Sequence, residues 1–201
     1  MDKNSYALGM SIAHNMVSSG IKEVSFDDFM AGLKAVLAGE TPAVSFDEAA
    51  KLLDKYFAEI EQKQKAEAAA LGAAMKKEGE EFLAANAGKE GVVTLPSGLQ
   101  YKVIAEGTGR KPGLKDKVRC HYCGTFVDGT KFDSSYDRGE AAVFGVNQVI
   151  AGWTEALQLM PAGSKWELYI PYNLGYGEHG APGSIPPYSA LVFTVELLEV
   201  L

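Results

Sequence analysis

Histidine, cysteine and positive charge are all scarce in this sequence. Its 201 residues include two cysteines and three histidines, and 19 Lys and Arg face 26 Asp and Glu, for a formal net charge of −7. No local cluster of Lys and Arg stands out. A protein that gains affinity by neutralising phosphates needs the opposite balance. We therefore expect no nucleic-acid partner.

Long hydrophobic runs are also missing. No apolar run approaches the roughly 20 residues needed to span a bilayer. The first residues, MDKNSYALGMSIAHNM, lack a basic segment followed by an apolar one, which a secretory signal would have. We expect no membrane span and a cytoplasmic location. The alternative is a periplasmic or outer-membrane-associated protein from which a leader has been removed.

Proline is nearly absent from the first part of the chain. Residues 1–91 contain only Pro42, whereas residues 92–201 contain the other seven prolines, 14 of the 22 glycines and both tryptophans. A change of this kind marks a domain boundary, here near KEGVVTLPSG. We predict two domains, residues 1–91 and residues 92–201.

The first domain has the pattern of helices. Apolar residues recur at three- and four-residue spacing in residues 6–17 and 26–37. Ser25 and Ser45 each precede an acidic residue by three positions, which is typical of an N-cap. From about residue 45 to about residue 86 the helical pattern continues without proline, a length of about 60 Å. The pattern predicts an all-α domain of three short helices and one long connecting helix.

The middle of the long helix, EIEQKQKAEAAALGAAMKKEGEEF, is polar on nearly every face. Such a helix either bridges two bodies through solvent or is an ordinary helix with one solvated face. Gly72 and Gly79 weaken it by about 1 kcal/mol each and are candidate bending points. The short helices before it have too few apolar residues for a core of their own. We expect a homodimer through residues 1–91; the alternative is that this half docks on the rest of its own chain.

The second domain has the pattern of strands. LQYKVI alternates, VRCHYCGTFVDGTKF places an Asp-Gly turn between two runs, and ALVFTVELLEVL puts alternate apolar residues on one face. NQVIAGWTEALQLMPAG instead has helical spacing, with Asn147 as a candidate N-cap. The pattern predicts an α+β domain in which one short helix packs across a sheet.

Cys120 and Cys123 form a C-x-x-C motif, but the motif lies in a predicted strand. Residues three apart in a strand point to opposite faces, so a disulfide or a shared metal would require breaking the strand. The histidines show no ligand spacing. GYGEHG matches a dinucleotide fingerprint, but APGSIPP follows it where a helix would have to begin. We expect no metal and no cofactor.

Aromatic residues are concentrated in residues 92–201, which contain thirteen Phe, Tyr and Trp. For most of them, including Phe126, Phe144 and Trp166, a place in the core is the simplest interpretation. Four segments nevertheless form a pattern: HYCGTFVDGTKFDSS, VIAGWTEAL, LGYGEHG and SIPPYSALVFTVELLEV. In order and spacing they resemble the signature segments of the FKBP-type peptidyl-prolyl cis-trans isomerases, from about Leu95 to Leu201.

Residues 1–91 are similar, by layout and a few identities, to the dimerisation module of the macrophage-infectivity-potentiator subfamily of bacteria. The same layout is found in its cytoplasmic relatives of the twenty-two-kilodalton type. For residues 92–201 the resemblance implies a strongly twisted antiparallel sheet of five to six strands wrapped around the short helix, with a cavity for a proline ring between them. The catalytic residues that it implies are Tyr122, Phe132, Asp133, Trp153, Tyr176 and Phe193. The substrate-binding residues that it implies are Arg138, Val149, Ile150 and Ile185.

The resemblance also implies roles within this set. Trp153 would form the floor under the ring, with aromatic walls around it. The Ile150 backbone N–H and the Tyr176 hydroxyl would bond to the peptide, and Asp133 and Arg138 would form a buried charged pair. Ala142 stands where many members have a large aromatic residue, so we expect an open rim and weakened binding of macrolide inhibitors such as rapamycin.

The implied function is a prolyl isomerase that acts as a folding catalyst and chaperone on unfolded or partly folded polypeptides, without a cofactor. Two alternatives stay open. A polypeptide-binding holdase would keep the cavity and lack turnover. A helical scaffold would use the long helix alone and would leave the aromatic positions unexplained.

Overall fold

The computed structural model describes all 201 residues. The chain divides into two compact units, Met1–Glu67 and Ala68–Leu201. A 3₁₀ turn, Tyr172–Leu174, precedes the last strand. The helices and strands are α1 (Lys3–Ser18), α2 (Phe26–Ala38), α3 (Phe46–Asn86), β1 (Val92–Thr94), β2 (Gln100–Ala105), β3 (Lys117–Phe126), β4 (Lys131–Ser134), β5 (Ala142–Gly145), α4 (Ala151–Leu157), β6 (Lys165–Ile170) and β7 (Leu191–Val200).

The first unit contains α1, α2 and the first half of α3. Ser25 and Ser45 cap α2 and α3 by accepting hydrogen bonds from the backbone N–H groups of Asp28 and Glu48. Two helices precede α3 instead of the expected three, because residues 19–25 form a turn and an irregular connection. Neither α1 nor α2 contains a buried residue. The apolar side chains of these two helices therefore lie on the surface of a single copy.

Seven antiparallel strands form one sheet in the second unit, in the order β1-β2-β6-β7-β3-β4. β5 pairs with residues 117–120 of β3 and β4 with residues 123–125, so both strands share one edge of β3. β7 pairs along the other edge. The sheet has more strands than expected because β1 is a three-residue edge strand and β5 is separate from β4.

The short helix α4 is fixed against the sheet by close packing. Gly152 allows this approach, since a Cβ there would lie 2.7 Å from Ile170 Cγ2. Asn147 is not the N-cap: residues 146–147 form a turn, and Ile150 takes the cap position without a side-chain hydrogen bond. Four residues of the helix are buried: Gly152, Trp153, Ala156 and Leu157.

The C-x-x-C motif lies within β3, with both cysteines free. Cys120 is buried, and this burial raises the pKa of its thiol to about 12. Cys123 is on the opposite, partly exposed face. The strand therefore separates the two sulfur atoms.

None of the helices combines the length and the apolar character that spanning a bilayer requires.

Candidate active site

A cavity of about 410 Å³ is lined by residues of β3, β4, β5, α4 and β7 and of the connections before α4 and β7. It brings together side chains that are up to 71 positions apart in the sequence (193 − 122). Eight of the ten predicted site residues line it: Tyr122, Phe132, Asp133, Val149, Ile150, Trp153, Tyr176 and Phe193.

Trp153 is the centre of the aromatic lining. Its ring makes edge-to-face contacts with Tyr122, Phe144 and Phe193, at centroid distances of 5.4, 5.6 and 5.4 Å. Phe193 meets Phe132 in the same geometry at 5.6 Å. Edge-to-face pairs have a preferred orientation as well as a large buried area. The lining is therefore an apolar surface in which each ring is held by its neighbours.

Gly124 in β3 makes room for two of these rings. A Cβ at this position would lie 2.7 Å from ring atoms of both Phe132 and Phe193. Contacts this short do not occur, so any other residue would displace the cavity wall. The sequence analysis did not identify Gly124 as a site residue, although an isolated glycine inside a strand pattern indicates close approach.

Tyr122 also carries a polar network at the edge of the cavity. Its hydroxyl donates to Asp133 Oδ2 at 2.5 Å and accepts from Arg138 Nη2 at 2.8 Å. Arg138 Nη1 donates to Asp133 Oδ1, and the guanidinium lies 5.4 Å from the Tyr122 ring centroid. The side chains of Arg138 and Asp133 remain 45% and 42% exposed. The expected pair is present, but it is half-exposed and not buried, because Arg138 reaches the hydroxyl from the solvent side.

These contacts set the ionisation of the two acidic groups. Desolvation opposes the charged form of Asp133, but hydrogen bonds from Tyr122 and Arg138 outweigh it and lower the pKa of the carboxyl. Burial, followed by the hydrogen bond to Asp133, raises the pKa of Tyr122. At neutral pH the network therefore consists of a carboxylate, a neutral phenol and a guanidinium.

Besides the buried Nε1 of Trp153, a backbone N–H and a hydroxyl beside the cavity have no hydrogen-bond partner within the protein. The backbone N–H of Ile150, at the start of α4, donates to no acceptor. The Tyr176 hydroxyl makes no hydrogen bond, and its pKa is raised by burial and by the charge of Asp133. Both residues line the cavity. Donors without a partner next to an apolar surface are available to the carbonyl groups of a bound chain.

Two predicted residues and two lining residues differ from expectation. Arg138 does not line the cavity and contacts its wall through Tyr122 and Asp133. Ile185 is 6% exposed and packs in the core, where its backbone forms a bridge with Ala181. Phe144 and Gln148 line the cavity but were not in the predicted set. For Phe144, the pattern of β5 alone does not separate a core position from a cavity position.

Ala142 lies in β5 opposite Cys120 and is partly buried against the core. It is absent from the cavity lining. The effect of this residue on macrolide inhibitors stays a prediction.

Comparison with known proteins covers both units. A family model described as "FKBP-type peptidyl-prolyl cis-trans isomerase" matches residues 108–198. A second, described as "Domain amino terminal to FKBP-type peptidyl-prolyl isomerase", matches residues 1–103. Together they extend over nearly the whole chain.

Individual relatives match at similar length. The FKBP-type 22 kDa peptidyl-prolyl cis-trans isomerase of Escherichia coli is 48% identical over 197 residues, 98% of this chain and 94% of the relative. The outer membrane protein MIP of Legionella longbeachae is 42% identical over 199 residues, 99% of this chain and 85% of the relative. The crystal structure of FkpA from Escherichia coli has a TM-score of 0.78 at 37% identity and covers 98% of this chain and 95% of that one.

Proposed function

Because this chain belongs to the FKBP-type peptidyl-prolyl cis-trans isomerases, we propose that it catalyses rotation about X-Pro bonds in the aromatic cavity around Trp153. One observation carries this location: eight residues predicted for the site from separate segments line one apolar cavity. We propose unfolded or partly folded polypeptides as substrates, since such chains present X-Pro bonds to solvent.

The reaction needs a suitable environment more than a reactive group. Rotation about an amide bond faces a barrier of ~18–20 kcal/mol, because the C–N bond has partial double-bond character. Twisting the bond removes the conjugation and with it part of the charge on the carbonyl oxygen. The twisted state is therefore less polar than either planar state. A water-poor aromatic cavity disfavours the planar states more than the twisted one and so lowers the barrier.

The unpartnered donors give this cavity its orientation. We propose that the Ile150 N–H and the Tyr176 hydroxyl, both beside the cavity, bond to carbonyl groups of the bound chain. With the ring held against Trp153, the remaining freedom is rotation about the prolyl bond. We propose that Asp133 mainly orients Tyr122, because both of its carboxylate oxygens are already engaged by Tyr122 and Arg138.

The direct test is the cis-to-trans rate of a short peptide with an apolar residue before proline. We expect the wild-type chain to accelerate it, and Tyr122→Ala to lose about tenfold or more, since that change removes a cavity wall and its polar network. Tyr6→Ala is the matched control, because Tyr6 is an exposed tyrosine of α1. A wild-type rate equal to the spontaneous rate would contradict the proposal and favour the holdase.

We further propose that residues 1–91 are the homodimerisation domain and residues 92–201 the isomerase domain. The support is apolar surface on the first two helices, which commonly marks an interaction site. A dimer has two cavities and can engage one unfolded chain at two sites, which raises the apparent affinity. This is the basis for a chaperone role. Eight large apolar side chains of these helices are more than half exposed: Tyr6, Leu8, Met10, Val17, Phe26, Met30, Val36 and Leu37.

We propose that the protein is located in the cytoplasm. The alternative is a periplasmic or outer-membrane-associated location. The relatives differ in this respect, since one of them is named an outer membrane protein. Fractionation of the native host after osmotic shock, with marker enzymes for each compartment, decides between the two.

A further inference from the structure

The segment from Pro171 to Ala190, here called the cavity loop, joins β6 to β7 and carries Tyr176. Apart from a 3₁₀ turn and the Ala181–Ile185 bridge, it has no regular structure. Two backbone hydrogen bonds close it: Gly177 N–H donates to Tyr172 at 2.8 Å, and Tyr188 N–H donates to Gly177 at 3.0 Å. The position of Tyr176 in the cavity wall therefore depends on Tyr172 and Tyr188, which bond to its neighbour Gly177.

Tyr188 is the only non-glycine residue with a positive φ, at 58°. This conformation is unfavourable for a bulky residue and persists only where the surroundings hold it. The ring packs edge-to-face on Tyr172, with centroids 5.2 Å apart. It also meets α3 at Gly72, where a Cβ would lie 2.9 Å from Tyr188 Cδ2. Gly72 thus allows the ring to pack closely against the helix.

Lys76 lies one turn further along α3 and contacts the same two rings. Its Nζ is 5.6 Å from the ring centroid of Tyr172 and 5.9 Å from that of Tyr188, within the range of cation–π attraction. The neighbouring Lys77 instead pairs with Glu81, and its side chain is 77% exposed. Two adjacent lysines of one helix therefore differ in whether they contact the cavity loop.

Residues 68–86 of α3 are anchored to the second unit at further points. A Cβ at Gly79 would lie 2.8 Å from the Ala190 side chain, so backbone and loop approach closely there. At the end of the helix, the fully buried Asn86 donates to Gln100 at 2.9 Å, and Gln100 donates to the Leu83 carbonyl at 2.8 Å. These contacts lie within the compact unit Ala68–Leu201. This half of α3 is a fixed platform.

We propose that residues 68–86 of α3 are a positioning element for the substrate cavity, in which Gly72 and Lys76 hold Tyr188 and Tyr172 and these hold Tyr176. The proposal rests on the function proposed for the cavity. Tyr188 and Lys76 do not line the cavity themselves. They are positioning residues, and their effect on the reaction passes through Tyr176.

Peptide isomerisation by the full chain tests the proposal. In Tyr188→Ala we expect KM to rise about three- to tenfold with a smaller change in kcat, because a hydrogen bond to the substrate is weakened. Tyr188→Phe keeps the ring and should behave as wild type. Lys76→Ala should raise KM by about twofold, because an exposed cation–π contact contributes about that much to binding. The same change at the neighbouring lysine, Lys77→Ala, should leave KM unchanged.

A double-mutant cycle shows whether the effect passes through Tyr176. If it does, Tyr188→Ala has little further effect in a Tyr176→Phe background, because the hydroxyl that it misplaces is already gone. Independent, additive losses of the two variants would overturn the proposal. So would unchanged kinetic constants in Tyr188→Ala.

Amide hydrogen exchange gives a readout that does not depend on turnover. The Gly177 N–H should exchange faster in Tyr188→Ala and in Lys76→Ala than in wild type or Lys77→Ala. Unchanged exchange in a chain that turns over peptide would overturn the positioning role and leave the proposed function standing. If the wild-type chain lacks turnover but the two variants still exchange faster, the positioning role is supported and the proposed function is rejected.

Discussion

Tyr122 links the apolar cavity to the charged groups beside it. Its ring packs edge-to-face on Trp153, while its hydroxyl both donates to Asp133 and accepts from Arg138. A phenylalanine would keep the packing and lose the network, and an aliphatic residue would lose both. The aromatic and polar parts of the site therefore depend on one side chain, whose hydroxyl is bonded to Asp133.

Two replacements of Asp133 distinguish a role in orienting Tyr122 from a direct role of its negative charge. Asparagine still accepts a hydrogen bond from the Tyr122 hydroxyl, so we expect Asp133→Asn to lose only about threefold in kcat/KM, whereas Asp133→Ala loses about tenfold or more. The measurement is peptide isomerisation by both variants under identical conditions. Equal and large losses would indicate that the negative charge itself acts on the twisted state.

The ionisation of the network predicts a flat pH profile. The lowered pKa of Asp133 means that its stabilising contacts are present above the ordinary value of about 3.9 and are lost as the pH falls through the lowered one. The raised pKa of Tyr122 keeps the phenol neutral beyond its ordinary value of about 10. We expect kcat/KM to be constant from about pH 5 to about pH 9. NMR exchange spectroscopy of the peptide measures this without a coupling enzyme, and a transition centred inside that range would contradict it.

The long helix α3 has two different parts. Residues 46–67 belong to the first compact unit and residues 68–86 to the second. Gly72 and Gly79 were expected as bending points, but the helix continues through both, and both are buried. Their missing side chains allow close packing, which offsets their low helix propensity. The polar surface of this helix therefore does not mean that solvent surrounds it along its whole length.

Gly79→Ala should destabilise the second unit despite improving helix propensity. Alanine gains about 1 kcal/mol in a helix interior, but its Cβ would lie 2.8 Å from that of Ala190. We expect a lower urea midpoint, measured by tryptophan fluorescence, since Trp153 and Trp166 both lie in this unit. The double variant Gly79→Ala/Ala190→Gly removes the clash and should recover part of the loss. A higher midpoint for Gly79→Ala alone would show that the helix is not held against Ala190.

The molecule as a whole consists of an enzyme domain that has a hydrophobic core and a helical unit that has much exposed apolar surface. The buried hydrophobic residues all belong to the second unit, where all but Tyr169 and Ala190 form one cluster around α4 and the sheet. The first unit has no comparable core. Association with a second copy would bury this apolar surface, and the resulting dimer would contain two cavities.

Leu37→Glu tests both the dimer and its use. Leu37 is 79% exposed in α2, and a charge there should prevent burial against a second copy. We expect a monomer by light scattering, unchanged isomerisation of short peptides, and slower refolding of a protein limited by proline isomerisation. Glu40→Gln changes a charge nearby without removing apolar surface and is the control. A Leu37→Glu dimer, or a monomer that refolds the client as fast as wild type, would contradict this.

Local patterns in the chain were sufficient for α1, α2 and α3, the caps at Ser25 and Ser45, the Asp-Gly turn and the strand that separates the two cysteines, although they also predicted a third short helix that the chain does not have. Each of these depends on neighbours within a few positions, so periodicity and capping predict them. The start of α4, the cavity positions of Phe144 and Gln148, and the half-exposed pair of Asp133 and Arg138 needed the folded chain. So did the packing of Gly79 on Ala190, 111 positions away (190 − 79). These features depend on which distant surfaces meet, and only packing in three dimensions determines that.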